Sequence, residues 1–156
     1  MKPFLPSLLA AVPALAVSFL PVYAGEPVAP TKTTALFNGK DLAGSYTWLR
    51  ATGRDDPQKV FSVKDGAIHM KGGEHRGVIV TKKAYKDYRV SVEYKWGEQT
   101  DGGKWVRNSG LLVHGTGADG GAGRNAWMPC LEIQLAQGCE GDLIVKSTNE
   151  KVPSAP

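Results

Sequence analysis

Residues 88–96, YRVSVEYKW, alternate strictly between apolar or aromatic side chains and polar ones. A period of two residues places successive side chains on opposite faces of a β-strand and does not suit an amphipathic helix. We therefore predict a strand from Tyr88 to Trp96 with one buried face and one face in water. Seven further short runs rich in Val, Ile, Leu, Tyr and Trp are punctuated by turn-forming residues: YTWL, VFSV, AIHM, GVIVTK, GLLVHG, CLEIQLA and DLIVKS.

Turn signals between these runs predict antiparallel pairing. Asp65-Gly66 separates two strand-like runs, and an Asp-Gly pair in that position is a strong signal for a β-hairpin. No segment has the 3.6-residue period of a long helix. Many short strands joined by glycine-containing turns indicate an all-β sandwich or barrel.

The first 24 residues are typical of a secretory signal. Lys2 precedes a long apolar run, and small residues stand at a cleavage site after Ala24. We predict a signal peptide over 1–24, an extended linker over 25–34 and one β domain over 35–156. Export to the periplasm or the medium follows, and no stable membrane anchor is expected because the apolar run is short and contains two prolines.

Charge and cysteine content limit the partners of the mature chain. The net charge of +4 falls to +3 when Lys2 is removed, and basic residues are scattered among acids, which argues against a nucleic-acid partner. Cys130 and Cys139 lie nine positions apart, but Cys139 falls in the predicted turn, so hairpin geometry disfavours a disulfide. The sequence leaves the oligomeric state open.

Alternation in CLEIQLA places Glu132 and Gln134 on one strand face, which we predict to be the polar face. A carboxylate beside an amide can bind sugar hydroxyls or transfer protons, whereas the simpler interpretation is a solvated strand face. A two-carboxylate glycosidase needs a second acid within roughly 5 to 10 Å. Glu93 would supply one only if its strand lay beside that of Glu132.

Three other features are candidates for a site. His114 follows Asn108 and Gly110 at alternate positions of RNSGLLVHG, which predicts a shared face. Trp127, in the long loop before the CLEIQLA strand, is either a ligand contact or a core residue. Residues 115–120, GTGADG, have the glycine spacing of a dinucleotide site, but no helix follows, so we interpret them as a loop.

Five segments carry a family resemblance: ALFNGKDLAG, FSVKDGAIHMKG, RGVIVTKKAYKDYRVSVEYKWG, RNSGLLVHG and LEIQLAQGCEGDLIV. In this order they resemble the 3-keto-disaccharide hydrolase family, long classed as a domain of unknown function. The similarity runs from about Ala35 to Val145, nearly the whole predicted mature chain. The resemblance implies an antiparallel jelly-roll β-sandwich of the concanavalin-A-like lectin and glucanase type, with a concave polar face that binds sugars.

The resemblance also implies exported 3-keto-glucoside 1,2-lyases and 3-keto-2-hydroxyglucal hydratases, with a carbohydrate as substrate. A ketone at C3 acidifies the proton on C2, and the resulting enolate expels the substituent at C1. Such a site needs a base near C2, a donor or cation for the enolate oxygen, and an acid for the leaving group. It needs no second carboxylate as nucleophile.

The resemblance suggests a role for each candidate residue. Glu132 or His114 would be base and acid, and Gln134 and Asn108 would bind hydroxyls or the enolate. Either Arg107 or Arg76 would be the cation, with Trp127 as a substrate contact. A divalent metal could replace the arginine, although His114 and Glu132 alone are an incomplete ligand set, so the cofactor stays open.

The chain departs from the family at its end, where members continue for further strands and this sequence stops after STNEKVPSAP. We therefore expect a sandwich that is truncated at its C-terminus. Two alternatives to an enzyme remain at this point: a non-catalytic carbohydrate-binding module and an inactive truncated remnant.

Overall fold

The computed structural model describes residues 26–73, 75–99, 102–104, 106–123 and 125–146. The predicted signal peptide at 1–24 lies outside the described residues. Within them the chain forms seven strands and no helix: β1 Ser45–Leu49, β2 Phe61–Lys64, β3 Ala67–Met70, β4 Gly77–Thr81, β5 Gly110–Val113, β6 Cys130–Gln134 and β7 Leu143–Lys146. The all-β prediction is confirmed, and each of these strands falls on one of the predicted runs.

The strands form three antiparallel sheets, β1–β4, β2–β3 and β5–β6–β7. The predicted hairpin is present between β2 and β3, where Asp65 and Gly66 both have positive φ, 51° and 74°. Positive φ at both central residues is what a type I′ turn requires. The closed two-sheet jelly roll implied by the resemblance stays a prediction.

The predicted strand at Tyr88–Trp96 is wrong: none of these residues belongs to a strand. The expected alternation of burial persists only in part, because Val92 and Tyr94 are 50% and 47% exposed although both lie on the predicted apolar face. A strand is defined by a hydrogen-bonded neighbour, and among the described residues no segment pairs with this one. Side-chain periodicity reports a conformational preference and cannot report whether a partner is present.

A small apolar core joins the first two sheets. Leu49 of β1 clusters with Phe61 of β2 and with Val60, the residue just before β2. Gly77 of β4 permits this contact, because a Cβ atom there would lie 2.9 Å from Phe61 Cε2. Burial of these apolar side chains stabilises the contact between the β1–β4 and β2–β3 sheets.

The segment predicted as a linker contacts the fold. Val28 forms an isolated parallel bridge with Tyr85, through hydrogen bonds from Val28 N to Ala84 O and from Lys86 N to Val28 O, both 3.0 Å. The described part of the chain contains no helix of the length and apolarity needed to cross a membrane.

Candidate functional site

The register of the β5–β6–β7 sheet determines which side chains share a face. Glu132 pairs with Leu112, Gln134 with Gly110, and Cys130 with Lys146. Residues directly opposite one another in an antiparallel pair lie on the same face. Cys130, Glu132 and Gln134 therefore share a face with Lys146 of β7.

The predicted common face of Glu132 and Gln134 is confirmed, and of the two interpretations left open by the sequence, the solvated strand face is wrong. Glu132 and Gln134 are only 7% and 8% exposed, whereas Leu131 and Ile133 on the other face are partly exposed. The polar face is thus the more buried one. Buried polar groups are costly unless they are paired, so their partners decide what this face can do.

The buried carboxylate is paired with an ammonium group. Lys146 Nζ lies 2.5 Å from Glu132 Oε2, and the two side chains are 22% and 9% exposed. The sequence reasoning missed Lys146. The available signal was alternation in DLIVKS, which puts Ile144 and Lys146 on one face, opposite Leu143 and Val145.

Trp127 lies beside this pair. Lys146 Nζ is 5.5 Å from the centroid of the Trp127 ring, within the range of a cation–π contact. Trp127 Nε1 and Gln134 Oε1 are buried atoms, and neither has a hydrogen-bond partner among the described residues. A free donor and a free acceptor match a hydroxyl group, which can accept from the first and donate to the second.

We call Glu132, Gln134, Lys146 and Trp127 the polar cluster. Gly110 provides the space for its carboxylate, because a Cβ atom at this position would lie 2.5 Å from Glu132 Cγ and 2.7 Å from Cδ. Both distances are far inside van der Waals contact. Any larger residue at 110 would therefore displace the Glu132 side chain.

His114 does not extend the polar face. Strand β5 ends at Val113, and His114 itself has a φ of 54°, a left-handed conformation that breaks the alternation. Its exposed ring stacks on Tyr88, with centroids 6.3 Å apart. The alternation that predicted a face shared with Asn108 and Gly110 therefore does not extend to His114, and the role of His114 rests on the resemblance.

The remaining predicted residues make contacts elsewhere. Arg107 Nη2 donates to Gly97 O and Arg76 Nη1 donates to Asn125 Oδ1, both at 3.3 Å. Asn108 is exposed. The hydrogen bonds of the two guanidinium groups go to Gly97 and Asn125, whereas Lys146 contacts Glu132 directly.

Cys130 reports the electrostatics of the polar cluster. Burial raises the pKa of its thiol, the negative charge of Glu132 raises it further, and the positive charge of Lys146 lowers it. The thiol is therefore protonated at neutral pH and is a poor nucleophile. Cys130 and Cys139 are both free thiols.

The described residues offer no complete metal-binding set. Nowhere in the described ranges do three or more His, Cys, Asp or Glu side chains gather where they could hold an ion. A catalytic zinc site usually takes three protein ligands, so His114 and Glu132 among the described residues do not fit a zinc ion.

An antiparallel β domain with a buried carboxylate, an adjacent ammonium group and buried polar atoms that lack partners among the described residues fits the class of carbohydrate-active proteins. The chain belongs to the 3-keto-alpha-glucoside-1,2-lyase-like domain family, which it matches over residues 32–153. This confirms the family resemblance inferred from the five segments. No curated protein and no solved structure matches the chain.

Proposed function

We propose that the protein is an exported enzyme that cleaves 3-keto-glycosides by elimination across C1 and C2, hydrates the resulting 3-keto-2-hydroxyglucal, or does both. Family membership supports the substrate class. The observation that carries the proposal is the buried Glu132 carboxylate within the polar cluster. It is a positioned base beside atoms able to hold a sugar hydroxyl.

The reaction requires one base and no carboxylate nucleophile. Glu132 takes the proton from C2, and the electron pair of the C2–H bond forms an enolate that ends on the C3 oxygen. The enolate then restores the C3 carbonyl, a C1=C2 double bond forms, and the aglycone leaves with the electrons of its bond to C1. Hydration adds a hydroxyl to C1 and a proton to C2.

The orphaned atoms of the polar cluster orient the ring for this step. Trp127 Nε1 would donate to a substrate hydroxyl and Gln134 Oε1 would accept from it, which satisfies two buried atoms that lack partners among the described residues. Holding the C2–H bond against a fixed base lowers the entropic part of the barrier. His114 remains a candidate acid for the leaving group.

Substitution of the base tests the proposal. Purified protein should release p-nitrophenol from p-nitrophenyl 3-keto-β-glucoside or its α anomer, and Glu132→Gln should lower kcat by at least about 100-fold. Glu98→Gln, on an exposed residue, is the matched control and should keep full activity. Full turnover in Glu132→Gln would rule out this carboxylate as the base.

Non-catalytic carbohydrate binding is a second candidate, and one observation favours it. Glu132 is already paired with Lys146, an arrangement that can hold a sugar without reacting with it. Calorimetry that detects sugar binding, together with no product from any keto-glycoside, would establish this function instead.

Export is part of the proposal and rests on residues 1–24. Expression of the full chain in a Gram-negative host should deliver a periplasmic or secreted product. Its N-terminal sequence should begin at Gly25. An uncleaved product retained in the cytoplasm would contradict export.

A further inference from the structure

The developing enolate needs a positive charge, and the structure offers a different one from the two arginines considered from the sequence. The guanidinium groups of Arg76 and Arg107 donate to Asn125 and to Gly97. Lys146 is the cation that contacts the carboxylate of the polar cluster, at 2.5 Å.

We propose that Lys146 is the group that stabilises the enolate oxygen in the elimination reaction. This inference rests on the proposed function and adds to it a catalytic residue that family membership does not assign. The geometry points to Lys146 because its ammonium group lies 2.5 Å from the base and 5.5 Å from the ring centroid of Trp127, a candidate substrate contact.

Charge balance explains why a cation beside the base would favour the transition state. As the C2 proton moves to Glu132, the carboxylate loses its negative charge while the C3 oxygen of the substrate gains one. The ammonium group of Lys146 would then exchange one anionic partner for another without ever becoming unpaired. An interaction that strengthens as charge moves onto the substrate lowers the barrier and leaves ground-state binding little changed.

Partial burial makes this exchange effective. The side chain of Lys146 is 22% exposed and that of Glu132 is 9% exposed, so water screens the pair only weakly. The face of the Trp127 ring adds a second favourable contact for the cation. Lys146 is held in place by both neighbours, which limits the reorganisation required during the reaction.

Proton exchange at C2 of a substrate analogue isolates the enolate step. 1,5-Anhydro-3-keto-glucitol carries no aglycone at C1, so in D₂O removal of its C2 proton is detected as exchange for deuterium, which NMR follows. We expect Lys146→Met to slow this exchange by about 100-fold or more with a similar KM, the range seen when one oxyanion donor is removed. Lys146→Arg should recover a substantial part of the rate, because it restores the charge.

Two controls protect the result against a folding defect. Lys64, like Lys146, is the last residue of a four-residue strand, but Lys64 is exposed. The Lys64→Met variant should exchange the C2 proton at the wild-type rate. Lys146→Gln keeps a hydrogen-bond donor near Glu132 without a charge, and it should be as slow as Lys146→Met while melting cooperatively.

Three outcomes overturn the inference. Wild-type exchange rates in folded Lys146→Met or Lys146→Gln would exclude enolate stabilisation by this residue. Slow aglycone release with unchanged exchange would make Lys146 an acid for the leaving group instead. Absence of both exchange and turnover in the wild-type protein would reject the proposed function itself, an outcome distinct from failure of a Lys146 variant alone.

Discussion

The charge of Glu132 affects the pKa of the neighbouring Cys130 thiol, and this pKa can be measured. The two residues lie two positions apart on β6 and share its buried face. Burial, and after it the charge of Glu132, raise the pKa of the thiol, while Lys146 lowers it. The titration of Cys130 therefore reports on both charges of the polar cluster without any substrate.

We predict opposite shifts of the Cys130 pKa in two variants, both made with Cys139→Ser. Glu132→Gln removes a charge that raises the pKa, so the midpoint of thiolate formation, followed by ultraviolet absorbance, should move to lower pH. Lys146→Met removes the charge that lowers it, so the midpoint should move to higher pH. Equal midpoints in all three proteins would show that the ion pair does not lie beside the thiol.

The same shift sets the sign of a pH effect on stability. A thiol whose pKa is raised by folding ionises first in the unfolded chain. The protonated Cys130 thiol therefore makes its full contribution to the free energy of unfolding below pH 9.0, the ordinary pKa of the thiol. The free energy of unfolding falls as the pH rises above that value.

Single-residue predictions succeeded where they depended on one strand alone. Alternation sufficed to place Glu132 and Gln134 together, because a common face is a property of a single strand. It did not reveal Lys146, since that contact requires the register between β6 and β7. It failed for His114, whose left-handed φ ends the alternation of β5.

At the scale of elements, Asp119 joins the loop of residues 115–129 to Tyr46 of β1 and to Arg54, which follows β1. We call these two contacts the polar latch. Tyr46 Oη donates to Asp119 Oδ1 at 2.9 Å, and Arg54 Nη2 donates to Asp119 Oδ2 at 3.1 Å. The Arg54 guanidinium also lies 3.9 Å from the centroid of the Tyr46 ring. Asp119 of the Gly-rich segment GTGADG thus anchors the loop that carries Trp127.

We predict that Asp119→Asn destabilises the protein by about 1–2 kcal/mol, because it weakens a part-buried hydrogen bond and removes an ion pair. Urea unfolding would measure the change, and proteolysis of the loop should become faster. Asp55→Asn, on an exposed neighbour of Arg54, is the control and should have little effect. Equal stability of the two variants would show that the latch contributes nothing.

Strand prediction was confirmed for seven runs because each was short, β-rich and bounded by a turn signal. The exception, Tyr88–Trp96, has the most regular pattern but no paired neighbour among the described residues. Propensity belongs to the segment itself, whereas strand formation also needs a hydrogen-bonding edge supplied by another part of the chain.

For the whole molecule, sequence predicted the fold class but not how the sheets are arranged. Alternation and turn chemistry are local, and they led to an all-β antiparallel chain. The number of sheets depends on contacts between residues far apart in sequence, such as Leu49 with Phe61 and Glu132 with Lys146. A single sequence contains no direct signal for these pairings.

Elimination across C1 and C2 is tested most directly by the isotope content of the product. The enzyme should be incubated in D₂O with a 3-keto-glucoside, and the 3-keto-glucose product should be analysed early by mass spectrometry and NMR. A sample without enzyme is the control for spontaneous exchange. Elimination followed by hydration predicts one deuterium at C2 for each aglycone released. Product that forms at the same rate with hydrogen retained at C2 would mean direct hydrolysis and would contradict the proposed chemistry.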